Sequence, residues 1–336
     1  MIATEKKTDY EILEAQVEHQ PVNSNFSKKI SFWTRFKEKI IYYFFALNGI
    51  MAVIFITLIF IFLFKEGFRA LDHIGLLDFI YFDRANIDGT ISRVYEWYPT
   101  SGEARYSIIP LILGSLLTAI PATIISTIIG VAVGIYLAEI AHPKAREILK
   151  PIVELFAGIP TVVLGFLMLV VGATLVNDFF EPTNRLNAFL AAIGLSFVII
   201  PIIASLTEDS LHSIPDELRQ ASYGLGATKW QTISRVILPA AFSGVSASII
   251  LGFGRAIGET MIVLMAAGNA ANLTTDLFRS VRTMTATIAA EMGEVSHGSD
   301  HYYALFFIGI VLFTITFFLN LIAESIINKM RKKNTF

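Results

Sequence analysis

Ile40–Phe64 is a run of 25 residues without a charge, and four more such runs follow it: Tyr106–Ala138 with 33, Leu155–Asn177 with 23, Leu186–Thr207 with 22 and Tyr303–Ala323 with 21. A bilayer core is crossed by roughly 20 mainly apolar residues in an α-helix, because a helix closes all its backbone hydrogen bonds internally. A sixth run starts near Leu238 and continues to about Ala267, interrupted by Arg255 and Glu259. The expectation is an all-α membrane protein with six transmembrane helices. The second run is too long for one crossing at ~1.5 Å per residue, so it should tilt or project into water. Pro110 and Pro121 fall inside it, and Pro160 and Pro201 inside the third and fourth runs. Only 16% of the chain is charged, against roughly a quarter in an average soluble domain. That shortfall excludes a soluble globular enzyme, and the apolar content excludes disorder. A net charge of −2 gives no basic footprint for nucleic acid. Cysteine is absent, which removes disulfides and thiolate metal sites.

Lys and Arg set the orientation. With the N-terminus in the cytoplasm, the inside segments 1–39, 139–154, 208–237 and 324–336 hold 17 basic residues, and the outside segments hold 8. Both termini are therefore expected in the cytoplasm of a cell with an inner membrane, the chain dividing into a tail (1–39), a six-span region (40–328) and a basic tail (329–336). Residues 1–30 read as disordered or loosely helical. The first apolar run is too long for a signal-peptide core. Residues 65–105 form a long outside loop, and Tyr42, Tyr43, Tyr302 and Tyr303 stand at span ends, where aromatic belts form.

Residues 208–239 make an unusually regular cytoplasmic loop. Ser213-Ile-Pro-Asp216 reads as a helix start, with Ser213 capping and Pro215 in the first turn. Gly224 and Gly226 then break that helix, and Thr228-Lys-Trp-Gln231 has capping-box spacing for a second helix running to Leu238, where Pro239 bends the chain. Such a knuckle can dock on a soluble partner; the plainer alternative is an ordinary surface helix. Gln220-Ala-Ser-Tyr-Gly-Leu-Gly226, nine residues, then Val236-Ile-Leu-Pro239 resembles the EAA motif of ABC-transporter permeases. Ala221, Gly226, Leu238 and Pro239 match it. Ser222 is a small-for-small change, Gln220 replaces the motif's acid and Val236 its Ile. The resemblance implies that this loop couples the chain to an ATP-hydrolysing subunit.

Arg255 and Glu259 lie four apart in Leu251-Gly-Phe-Gly-Arg-Ala-Ile-Gly-Glu-Thr260, so an unbroken helix would put them on one face. Ionisable groups at membrane depth are costly unless paired or wet, which makes them functional candidates. A guanidinium fork fits an oxyanion through two parallel hydrogen bonds. A neighbouring Glu could hold the Arg, or accept the proton that hydrogen phosphate carries and sulfate lacks. Gly252, Gly254 and Gly258 leave the nearby backbone uncovered. A pair that only fixes helix packing is the alternative.

Gly254-Arg-Ala-Ile-Gly-Glu-Thr260 resembles the signature of phosphate-specific (Pst) ABC permeases. Val263-Leu-Met-Ala-Ala-Gly268, Ile109-Pro-Leu-Ile-Leu-Gly-Ser115, Gly134-Ile-Tyr-Leu-Ala-Glu139, Lys150-Pro-Ile-Val-Glu-Leu155, Ala157-Gly-Ile-Pro160 and Gly226-Ala-Thr-Lys-Trp-Gln-Thr232 also look like that family. The likeness covers roughly 50–330, and the polar N-terminus with the large first outside loop is most like the C-type permease. It implies a MetI-like fold, phosphate translocation at Arg255 and Glu259, an A-type permease as the other half of the pore, two ATP-binding subunits and a phosphate-binding protein outside. ATP and Mg would sit on the partner, with no cofactor on this chain, which has no Walker A sequence. The six His form no HExxH pattern, and Gly252-Phe-Gly-Arg-Ala-Ile-Gly258 follows no strand, so it is not a dinucleotide loop. Rival readings are a permease for molybdate, tungstate or sulfate, an ion-coupled secondary transporter, for which no internal repeat is found, and a non-transporting membrane scaffold.

Overall fold

A computed structural model describes residues 32–85 and 90–333. The predicted N-terminal tail lies mostly outside them, as does the last part of the basic C-terminal tail. By backbone contacts the chain divides into two units, 1–60 and 61–336. The described part of the first is helical and belongs to α1 (Phe32–His73). Within its apolar run Asn48 donates to the Phe44 carbonyl at 2.7 Å and Thr57 to Val53 at 2.8 Å, local bonds of the kind a helix in lipid requires.

The second unit begins in the last turns of α1. A segment of short strands follows, with hairpin β1 (Phe82–Ala85) and β2 (Ile91–Val94), Phe82 opposite Val94. Strands β3 (Trp97–Tyr98) and β4 (Arg105–Tyr106) then pair antiparallel, Trp97 opposite Tyr106. Next come α2 (Ile109–Ile135), α3 (Pro143–Ala157), α4 (Thr161–Leu167), α5 (Ala173–Phe180), α6 (Ala188–His212), α7 (Asp216–Gly224), α8 (Lys229–Thr232), α9 (Phe242–Gly258), α10 (Met261–Ala266), α11 (Met284–Glu291) and α12 (Asp300–Lys333). Three π-turns interrupt or extend these helices, at Tyr136–Ile140, Met168–Gly172 and Ile233–Ile237.

Among the described residues five helices are long and apolar enough to cross a membrane, and a sixth crossing exists if Lys229–Ala240 and Phe242–Gly258, bent by 69°, count as one. The six expected spans correspond to these five helices and the bent pair, with shifted edges. Leu155–Ala157 belong to α3, whose side chains are all at least partly exposed, and the third span starts only after Pro160, which stands at the N-cap of α4 rather than inside it. Pro110 sits in the first turn of α2, whereas Pro121 and Pro201 lie inside α2 and α6. Tyr302 and Tyr303 are 8% and 9% exposed, so they fill an outer core cluster rather than a lipid-facing belt.

Small residues let α2 and α6 approach closely. A Cβ on Gly134 would lie 2.7 Å from Thr207 Cβ, and one on Gly130 2.9 Å from Ile203 Cβ. Ser126 donates to the Ala122 carbonyl at 2.7 Å and to Ser196 of α6 at 3.3 Å. α9 packs on α6 beside the Gly134 contact, the Thr207 and Ser248 hydroxyls lying 3.2 Å apart. These three helices form the scaffold behind the break at Gly258.

Candidate functional site: a broken helix and a two-helix knuckle

The unbroken helix expected through Arg255 and Glu259 is not formed. Arg255 lies in the last turn of α9, Gly258 ends the helix, and Glu259 is extended at φ −73° and ψ 136°. The two residues thus do not share a helix face, and no ion pair joins them. The cause is local: glycines at 252, 254 and 258 weaken the helix by about 1 kcal/mol each relative to Ala, and the Glu259 carboxylate supplies a new helix start. Its Oε1 accepts from the Thr260 and Met261 amides at 3.1 and 3.2 Å, two of the donors that the first turn of α10 would otherwise leave unmet. The positive end of α10 favours that carboxylate, and the negative end of α9 favours the Arg255 guanidinium. Each charge is offset by its own helix rather than by the other.

Among the described residues Arg255 makes no hydrogen bond or ion pair, and it is exposed on this chain, beside exposed Leu251 and Gly258. A Cβ on Gly258 would meet nothing within 4 Å, and one on Gly254 only Asn320 Oδ1 at 3.7 Å. Open space therefore flanks the guanidinium. Beyond the break, α10 and α11 hold only 6 and 8 residues, too few to cross a bilayer. Gly268, at φ +87°, turns the chain between them, and the Val281 amide donates to the Ala267 carbonyl at 2.9 Å. The returning segment seats on α2, where Ser115 Oγ accepts from the Met284 amide at 3.1 Å. Thr285 Oγ1 donates to the Glu259 carbonyl at 2.8 Å, so the segment also fixes the break.

The knuckle forms as a short helix, a glycine turn and another short helix. Its start differs from expectation: Ser213 ends α6, donating to the Ser210 carbonyl at 2.8 Å, and Pro215 stands at the N-cap of α7 with no side-chain cap. Asp216 and Glu217 occupy the first turn instead, where the helix dipole favours acids. Gly224 completes α7, and the turn is made at Gly226, whose φ is +81°. The Thr228–Gln231 capping box is present in both directions. Ser222 is buried and its hydroxyl lies 2.8 Å from Thr232 Oγ1, tying α7 to α8. The bend falls at Ala241, two residues after Pro239. Ala221, Gln220 and Pro239 are exposed, and Leu238 is half-buried. Leu225 is 90% and Trp230 66% exposed, an apolar tip on the knuckle, with Leu218 and Tyr223 also exposed.

Several charged residues that anchor these elements escaped the sequence reading. Glu208 of α6 is fully buried and bound by Arg146 and Lys150 of α3. Hydrogen bonds to Asp209 and Glu208 raise the Lys150 pKa above its ordinary value. Arg219 of α7 reaches Glu139 at 2.7 Å. On α11, Glu291 accepts from Trp97 Nε1 at 3.0 Å and lies 2.6 Å from Arg282 and 2.8 Å from His301. Burial alone would raise the Glu291 pKa, but the bonds from His301 and Trp97 and the Arg282 charge outweigh it and leave it below the carboxylate norm. The available signal was positional: Glu139 and Glu208 are the first charges after two long apolar runs.

Residues 130–332 match the family model described as "Binding-protein-dependent transport system inner membrane component". The chain belongs to that family. Among its relatives, the "Probable ABC transporter permease protein YqgH" of Bacillus subtilis is 37% identical over 221 residues, covering 66% of this chain and 72% of the relative. "Phosphate transport system permease protein PstC" of Mesorhizobium japonicum is 32% identical over 247 residues, covering 68% and 75%. The PstC of Pasteurella multocida is 32% identical over 257 residues, covering 71% and 79%. Of solved structures, a bacterial alginate ABC transporter, in complex with alginate pentasaccharide-bound periplasmic protein, gives a TM-score of 0.58 over 87% of this chain and 95% of that one at 15% identity. The inward-facing MetNI methionine ABC transporter gives 0.54 over 66% and 95% at 19% identity, likenesses that bear on the fold. This binding-protein-dependent permease is thus a multi-pass, MetI-like membrane subunit of an ABC importer.

Proposed function

We propose that this permease subunit translocates inorganic phosphate across the cytoplasmic membrane, with Arg255 receiving the anion. The observation that carries the reading is an Arg255 guanidinium free of protein partners among the described residues and flanked by the open sides of Gly254 and Gly258. A desolvated guanidinium is expensive without a counter-charge, and a passing oxyanion supplies one through two parallel hydrogen bonds. Glu259, fixed at the start of α10, is placed to take the proton of hydrogen phosphate. Similarity to the PstC proteins supports phosphate as the substrate. The exposed side of α9 faces an A-type permease that completes the pore, and an extracytoplasmic phosphate-binding protein delivers from outside.

The knuckle 213–232 engages a dimer of ATP-binding subunits, which hold ATP and Mg and perform the hydrolysis; this chain contributes no catalytic residue and no cofactor. Leu225 and Trp230 supply the apolar anchors of that contact, Gly226 sets their angle, and Gln220, Ala221, Ser222, Leu238 and Pro239 frame it. Both termini face the cytoplasm, in accord with the excess of Lys and Arg on that side. The test is Arg255→Ala: phosphate uptake into proteoliposomes is abolished while the ATP-binding subunits still co-purify. Uptake at the unaltered rate removes Arg255 from the path, and competition by molybdate, tungstate or sulfate in the same assay reassigns the anion.

A further inference from the structure

Arg219 gathers the cytoplasmic end of the second unit around one side chain. Its Nη2 donates to Glu139 Oε1 at 2.7 Å and to the Leu211 carbonyl at 2.9 Å, while Nη1 donates to the Ile214 carbonyl at 2.6 Å and to Asp216 Oδ1 at 3.0 Å. The two charged side chains are 15% and 6% exposed. The hydrogen bond to Glu139 is the main reason the Arg219 pKa is raised, so the charge is permanent. A nearly buried pair of this kind resists separation, because moving one partner strands the other's charge.

Glu139 belongs to the π-turn that ends α2. Ser115, 24 residues earlier on the same helix, lies about 36 Å away at 1.5 Å per residue. At that far end α2 is seated on backbone as well as on the side chains that pack with Leu111. Ser115 accepts from the Met284 amide at 3.1 Å, and Gly114 abuts the Arg282 carbonyl so closely that no side chain fits between them. Thr285, the next residue on, donates to the Glu259 carbonyl at 2.8 Å. Between the two ends, on the Glu139 side of Pro121, α6 packs closely on α2 at Gly130 and Gly134. One helix thus connects an ion pair on the knuckle to the segment that fixes the Glu259 break.

We propose that Arg219 and Glu139 form the joint through which movement of the knuckle is delivered along α2 to residues 282–285, and so to the break beside Arg255. Both are positioning residues and touch no substrate. The motif acid that Gln220 replaces is not needed for this joint, since the carboxylate comes from residue 139 and the guanidinium from residue 219. The inference rests on the reading of the chain as a permease driven by ATP-binding subunits.

The chain has no cysteine, so a reporter thiol at exposed Ala289 on α11 is unique on it. In the assembled transporter carrying Ala289→Cys, trapping with Mg-ATP and vanadate should change the maleimide labelling rate about fivefold, the lower end of ordinary coupling between sites. Adding Glu139→Ala should abolish that change while the ATP-binding subunits remain bound and hydrolyse ATP, and Glu139→Gln, which keeps an acceptor for Arg219, should restore part of it. An undiminished response in Glu139→Ala, no response in the parent, or loss of the ATP-binding subunits from the Glu139→Ala complex overturns the joint. Phosphate uptake by the parent is measured alongside. Its absence refutes the substrate assignment and not the joint, because the thiol response needs no phosphate.

Discussion

Replacing Glu259 separates two roles that one carboxylate fills. Its Oε1 accepts from the Thr260 and Met261 amides at 3.1 and 3.2 Å, so Glu259→Ala leaves both donors unmet at the start of a 6-residue helix. Loss of a helix-start acceptor costs about 0.5–2 kcal/mol, and bonds to a charged group are worth about 1.5–3 kcal/mol. A loss near 2 kcal/mol is therefore expected, which is roughly 30-fold in the equilibrium that keeps α10 formed. Glu259→Gln keeps an oxygen at the same reach and should recover most of that stability. It carries no charge, and it cannot take a proton from hydrogen phosphate. Thermal unfolding of the purified complex reads the first role, and phosphate uptake reads the second. Glu259→Ala should lower the unfolding temperature and uptake together, whereas Glu259→Gln should be stable and transport poorly. If Gln is as unstable as Ala, the two amide bonds are not what holds the break. If Gln transports at the unaltered rate, proton acceptance by Glu259 is refuted.

Other perturbations read other parts of the structure. Gly226→Ala meets no atom within 4 Å but forces an L-residue to φ +81° at about 1–2 kcal/mol; co-purification of the ATP-binding subunits should weaken, and unchanged binding would show that the turn angle is irrelevant. Glu208→Ala removes the buried partner of Arg146 and Lys150 while Lys150 keeps Asp209 at 2.8 Å, a loss of about 1.5–3 kcal/mol, and a purified complex with an unshifted unfolding temperature would contradict that. Glu291 titrates below its ordinary 4.5, so its stabilising bonds are intact above that pH and are lost as pH falls through the lowered value. With Trp33 and Trp230 replaced by Phe, the fluorescence of buried Trp97, bonded to Glu291, should change in a transition centred below pH 4.5; a transition centred above 4.5 would show that Glu291 is not its source.

Span number and the knuckle's sequence of helix, turn and helix were legible because they depend on local rules. Twenty apolar residues in lipid have few alternatives to a helix, and Thr228 with Gln231 caps by spacing alone. The Arg255–Glu259 geometry was not legible, because four-residue spacing implies a shared face only if the helix continues. Three glycines and a carboxylate able to cap a new helix tipped that balance. Ser213 misled for a related reason: its hydroxyl found the Ser210 carbonyl behind it before it could serve a helix ahead. Glu139, Glu208 and Arg219 were missed since their partners are 58 to 80 residues away in sequence, beyond the reach of any periodicity.

Each of the π-turns at Tyr136–Ile140, Met168–Gly172 and Ile233–Ile237 carries a surplus of one residue over the α-turn it replaces. That surplus is an integer. It can be absorbed, or handed along the helix, only as a whole residue, and each such step swivels everything on one side of it by about 100°. A π-turn that shifted along its helix would therefore move in whole-residue steps, like a ratchet's teeth.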